Sequence, residues 1–128
     1  MQIQCEGALR SMTSLYLFQG DRVLLLYRQG SRVANEVWIG SAGGHFEAEE
    51  QNDAKACVLR ELREELGLFE EDLAGLRLGY VTLRRIGGEI RQNYYFFAEL
   101  KAEPEGGLVS NEGRLQWFSF EDRTAAEL

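Results

Sequence analysis

The sequence predicts an α/β or α+β domain built on a mixed β-sheet, and three observations carry that expectation. Several short stretches are dense in Leu, Val, Tyr and Phe, the composition of strands. Gly-containing turns join two pairs of them as hairpins. One stretch, residues 53–66, instead repeats its apolar residues with helical spacing. At 128 residues the chain is read as a single domain spanning 1–128, long enough to bury one core.

The elements follow in order. Ser14–Phe18 and Arg22–Arg28 read as strands joined by a Gly20-Asp21 turn. Val37-Trp38-Ile39 reads as a short strand running into a glycine-rich loop with Gly40, Gly43 and Gly44. From Asp53 to Leu66 the pattern is helical: Val58, Leu59, Leu62 and Leu66 fall on one stripe, Asn52 or Asp53 caps the start, and Gly67 ends it. Leu78–Arg85 and Glu89–Leu100 flank Gly87-Gly88 as a second hairpin. Pro104 to Gly113 has loop composition, Leu115–Phe120 resumes as a strand, and Glu121–Leu128 begins a helix.

Composition narrows the function. There are 14 basic and 21 acidic residues, a formal net charge of −7, so a polymeric phosphate backbone would be repelled. A small anionic substrate is compatible with that charge if divalent cations neutralise it locally. The longest apolar run, Val23 to Tyr27, is far too short to span a membrane. The two cysteines, Cys5 and Cys57, are too few for a disulfide framework and lack metal-finger spacing. The expected location is therefore cytoplasmic.

On the predicted helix, Glu61, Glu64 and Glu65 stand at i, i+3 and i+4 and share a face. Like charges at that spacing repel, and the last turns of a helix disfavour anions by about 0.3–1 kcal/mol each. Arg60 can pair with Glu64 at i+4, but one guanidinium does not neutralise three carboxylates. Hard oxygen ligands so clustered suit Mg²⁺ or Mn²⁺; the competing reading is an ordinary solvated helix face.

The surrounding pattern decides between them. Gly44, five residues, Glu50, nine residues, then Arg60-Glu61-Leu62-Arg63-Glu64-Glu65-Leu66-Gly67-Leu68 resembles the Nudix box, matching its glycine, its lone glutamate and its Arg-Glu and Glu-Glu pairs. The one departure is a gap before Arg60 that is two residues longer than the family's seven, read as a longer excursion around residues 49–53. The resemblance implies an α/β/α sandwich with the mixed sheet between helices, and a divalent-cation-dependent hydrolase of nucleoside diphosphates linked to another group. It further implies that Glu61, Glu64 and Glu65 hold the metal, with a backbone carbonyl of Gly43 or Gly44. Arg60 would orient the carboxylates and one glutamate would serve as base. His45, in the glycine loop, is a candidate for phosphate contact.

A narrower similarity runs through Gly43-Gly44-His45-Phe46-Glu47, Asn52–Leu59, Arg91–Phe97 and Asn111–Phe118 to bacterial members of the family described as 8-oxo-dGTP diphosphatases. It implies hydrolysis of a nucleoside triphosphate to monophosphate and pyrophosphate. Hydrolysis of ADP-ribose, nucleotide sugars or dinucleoside polyphosphates is the alternative, and a non-catalytic nucleotide sensor a third. Members of this kind continue past the last strand into a full C-terminal helix. The expected partners are a small nucleotide and at most a second copy of the chain, with no polymeric nucleic acid and no membrane. Trp38, Tyr94 and Phe96 could stack on a base, though strand alternation favours the core. Cys57 reads as a small packed hydrophobe, and Arg84, Arg85 and Arg91 as solvated edge charges.

Overall fold

A computed structural model describes residues 9–28 and 37–120. In chain order these form β1 (Leu9–Gln19), β2 (Arg22–Arg28), β3 (Val37–Ile39), β4 (Ala42–His45), a 3₁₀ turn (Ala48–Glu50), α1 (Ala54–Leu66), β5 (Leu73–Ile86), β6 (Glu89–Leu100) and β7 (Arg114–Ser119). The strands make one mixed sheet in the order β3-β2-β1-β6-β5, with β4 on β1 and β7 on β2. Among the described residues only β1 and β6 run parallel; the other pairs are antiparallel. The mixed sheet expected from the sequence is present.

The sheet is split near its centre. β1 pairs with β2 only over Leu17–Gln19, and its Met12–Leu15 half pairs with β4. β2, in turn, gives Leu26–Arg28 to β3. The chain from β3 through Gly40 and Ser41 to β4 is thus inserted as a V between β1 and β2. Ser41 sits at its apex, fully buried. Its hydroxyl donates to the Leu24 carbonyl (2.6 Å) and accepts from the Leu17 amide (3.0 Å), replacing the ladder bond that the parting strands give up.

Alternation along β1 sends Thr13, Leu15 and Leu17 to the α1 face, where all three are buried. There they join Val58, Leu62 and Leu66 of α1 and Phe96, Ala98 and Leu100 of β6. Each of the larger aliphatic side chains contributes about 1.5–3 kcal/mol by leaving water. The opposite face carries an aromatic row in which Tyr80 stacks on Tyr95 (4.6 Å) and Tyr16 on Phe97 (5.8 Å). Burial beside these phenols raises the pKa of Tyr16.

The helix forms for the reasons its sequence gives. The Asp53 carboxylate accepts from the Ala56 amide (3.0 Å), a cap worth about 1 kcal/mol. Gly67, at φ +70°, closes the other end by donating to the Arg63 carbonyl (3.0 Å).

The structure moves three boundaries. The glycine loop is half strand, because β1 offers Ala42–His45 a ladder despite their weak strand propensity. β1 and β5 each begin five residues earlier than their apolar alternation indicates, since their first residues follow a paired strand, β6 in both cases, rather than an alternating pattern of their own. The helix expected at 121–128 lies outside the described residues.

Candidate active site

Arg60 is the hub of the box. Its Nε and Nη2 donate to both oxygens of Glu50 (2.7 and 3.1 Å), its Nη2 to the His45 carbonyl (3.0 Å), and its Nη1 lies 3.1 Å from Glu64 and 3.0 Å from Glu61. The bidentate pairing holds Glu50 well below the usual carboxylate range and raises the guanidinium. Glu50 also accepts from the Glu47 amide (2.9 Å), which closes the 3₁₀ turn. The two additional residues are therefore absorbed by the turn and the approach to α1, and Glu50 still reaches Arg60.

The three glutamates have different surroundings. Glu64 is half exposed and turned to Arg60. Glu65 is buried, with 8% of its surface exposed, and accepts from the Gly43 amide (3.3 Å). Burial, followed by the adjoining Glu61 carboxylate, holds Glu65 well above the usual carboxylate range. Glu61 lies against Gly44 so closely that a Cβ there would fall 2.5 Å from its Oε1. Among the described residues no three acidic, histidine or cysteine side chains close around one centre.

A hard divalent cation nevertheless suits what is present. Glu61 and Glu65 converge beside a backbone that lacks a side chain at Gly43 and Gly44. Two adjoining carboxylates, one of them buried, stay ionised together only with a cation beside them.

Above Gly43 and Gly44, the V opens into a cleft of about 150 Å³. Its walls include Met12 and Ser14 of β1, Leu26 and Arg28 of β2, and Ile39 of β3, with Glu65 at the glycine end. Arg28 pairs with Glu112 (3.2 Å) on the loop before β7, and the Glu112 charge acts on Glu65. Sequence reasoning missed Arg28, Glu112 and Ser41, since no spacing rule links these distant segments. His45 also lines the cleft, at the exposed end of β4, but the atom engaged by Arg60 is its backbone carbonyl.

The remaining candidates are structural. Phe96 is in the core, Tyr94 packs on Phe46 (5.4 Å) and Trp38 lies between Tyr27 and Phe118 (4.9 Å each). Cys57 is fully buried against Thr13, and burial pushes its thiol up to about 11.

A family model of the NUDIX domain matches residues 9–127. The chain belongs to the NUDIX family. Its members are hydrolases of phosphoric anhydrides and generally use divalent metals. Among solved structures, this Nudix domain resembles a C. elegans Ap4A hydrolase in a binary complex (TM-score 0.69, 19% identity, 91% of this chain and 84% of that one). A MutT NUDIX hydrolase from Burkholderia pseudomallei is as similar (TM-score 0.69, 24% identity, 89% and 85%). So, over 34% of its length, is a bifunctional NMN adenylyltransferase/ADP ribose pyrophosphatase from Francisella tularensis complexed with AMP and a Mn ion (TM-score 0.66, 18% identity, 87% of this chain). At these identities the likeness is one of fold. Comparison with curated proteins finds no match.

Proposed function

We propose that this Nudix domain hydrolyses a nucleoside triphosphate, 8-oxo-dGTP among the candidates, to the monophosphate and pyrophosphate, with Mg²⁺ or Mn²⁺ as cofactor. The observation that carries the reading is the placement of Glu61 and Glu65 under the glycine backbone at the end of a cleft that also presents Arg28. Glu61, Glu64 and Glu65 would hold the cation, with the Gly43 or Gly44 carbonyl as a further ligand. The cation supplies neutralisation of phosphate charge and a more acidic water.

The chain's own groups do the rest. Arg60 fixes the box by tying the helix to Glu50 and the His45 carbonyl. Arg28 offers a guanidinium to a phosphate entering the cleft. One of the three glutamates accepts the proton of the attacking water. His45 is placed to contact the substrate at the cleft mouth. Retention of all three box carboxylates speaks against a purely sensing role.

Hydrolysis of ADP-ribose or a dinucleoside polyphosphate is the second reading. It is favoured by the likeness to the Ap4A hydrolase and to the enzyme carrying an ADP ribose pyrophosphatase activity. One experiment separates them: a panel of nucleoside triphosphates, 8-oxo-dGTP, ADP-ribose, nucleotide sugars and Ap4A, with Mg²⁺ or Mn²⁺, scored by product identity. Monophosphate and pyrophosphate are expected. Preference for ADP-ribose or Ap4A over every triphosphate would install the second reading, and orthophosphate as the first product would refute the proposed cleavage.

A further inference from the structure

Arg28 ends β2 and lines the cleft. Arginine is long and rich in rotamers, so an anion that meets it must ordinarily order it first. Here a neighbour already holds it: Nη2 of Arg28 donates to Oε2 of Glu112 (3.2 Å), which engages one of the five N–H groups of the guanidinium. Glu112 is itself fixed through its backbone. Its amide donates to the hydroxyl of Ser110 (3.0 Å), which is buried and bridges to Gly113. Gly113 in turn lies so close to β2 that a Cβ there would strike the Tyr27 carbonyl oxygen, and Arg114 opens β7 by pairing with Tyr27. The loop is thus anchored on the residue that precedes Arg28. Glu112 is also near enough to Glu65 for their charges to interact, which sets it close to the box glutamates.

Neither folding nor simple attraction accounts for the pair. Its side chains are 30% and 41% exposed, and an ion pair so open to water adds little to stability. A carboxylate beside the guanidinium also cancels part of the charge that an incoming phosphate would seek. What the pair supplies is a fixed direction for Arg28.

We propose that Glu112 is a positioning residue for substrate binding: its carboxylate holds the Arg28 guanidinium at the cleft in the orientation in which a phosphate chain meets it. The proposal rests on the reading of Arg28 as a phosphate contact. Orientation outweighs charge because the Glu112 carboxylate is open to solvent and salt, which screen its repulsion of the anion, whereas the ordering of Arg28 is lost when the carboxylate is removed. The phosphate uses N–H groups that Glu112 leaves to it, so the pair persists in the complex. The sign of the effect therefore separates the two roles. A carboxylate acting only through its charge would, once neutralised, let the anion bind more tightly; one that orients Arg28 would, once neutralised, let it bind more weakly.

Calorimetric titration of the full chain with inorganic pyrophosphate, in Mg²⁺ and at about 0.15 M salt, tests this. Glu112→Gln should weaken binding by about threefold or more and Arg28→Ala by about tenfold or more, while the double variant should bind as Arg28→Ala alone does, since Glu112 acts only through Arg28. Melts of Glu112→Gln in chelator and in Mg²⁺ should match wild type. On the panel substrate that turns over fastest, Glu112→Gln should raise KM more than it lowers kcat. Tighter or unchanged pyrophosphate binding by Glu112→Gln would overturn the proposal. So would a further loss in the Arg28→Ala background, or a melt that responds less to Mg²⁺, either of which would have Glu112 act on the cation instead. Wild-type binding by Arg28→Ala, or no binding by wild type, would overturn the phosphate role of Arg28 itself and this proposal with it.

Discussion

Alanine at Gly43 and at Gly44 should fail in opposite ways, although the two residues are adjacent. Gly43 has φ +153°, and a Cβ there would lie 2.2 Å from the Thr13 carbonyl oxygen and 2.9 Å from the Ser14 Cα. Both obstacles are backbone of β1, which is locked in the middle of the sheet. The strained dihedral costs about 1–3 kcal/mol, and forcing the β1–β4 ladder apart adds about 1–3 more. For a domain of this size that is a fall in Tm of roughly 10–20 °C. At Gly44 the three atoms nearest the added methyl all belong to the Glu61 carboxylate, at 2.5–2.9 Å. That is the far end of a flexible side chain, so stability should change by less than about 1 kcal/mol. The carboxylate, however, must move by about 1 Å, a displacement that can cost about a hundredfold in rate when it affects a catalytic group. The assay is a thermal melt with chelator and with Mn²⁺, alongside turnover on the best substrate of the panel. Gly43→Ala should melt early under both conditions. Gly44→Ala should melt normally in chelator, gain little from Mn²⁺ and turn over slowly. Wild-type activity and metal response in Gly44→Ala would refute the placement of Glu61 in the site.

Other outcomes follow from the same geometry. Ser41→Ala removes the hydroxyl between Leu17 and Leu24, leaving two buried backbone groups unpaired, so denaturant unfolding should show a loss of about 1–3 kcal/mol. Glu65→Gln should abolish most stabilisation by millimolar divalent cation in melts, while leaving the chelated protein folded. Glu50→Gln should cost about 1–3 kcal/mol at neutral pH. Because Glu50 titrates lower in the folded chain than in the unfolded one, its contribution is present above pH about 4.3 and disappears as pH falls through the depressed value. The Gln variant should accordingly lose the corresponding part of the acid dependence, and unchanged acid unfolding would contradict the pairing. In a Cys5→Ser background, iodoacetamide at pH 8 should leave Cys57 unlabelled until denaturant is added.

What the sequence disclosed depended on how local the cause is. The α1 helix was legible to within a residue because its period, its Asp53 cap and its Gly67 terminator all lie inside the segment. The pairing of Arg60 with Glu64 was legible for the same reason. The Ala42–His45 strand was not, because its ladder comes from β1, some thirty residues earlier in the chain. The shared helix face of Glu61, Glu64 and Glu65 likewise hid their inequality: one is half exposed and paired with Arg60, one lies against a glycine and one is buried under an amide, a sorting imposed by what the sheet brings beside the helix. Glu112 and Arg28 reach the site only through the folded arrangement of β2 and the loop before β7.

The V held by Ser41 divides the labour of the molecule in a way that bears on how such a site can diverge. The strand carrying Gly43 and Gly44 takes its register from β1, whereas the other arm takes its register from β2. Substitutions in β3, whose Ile39 lines the cleft, can therefore reshape one wall without shifting the backbone beneath the glutamates. On the proposed assignment the arm registered on β2 would carry substrate preference and the arm registered on β1 the metal site, so the first could drift by mutation while the second is inherited intact.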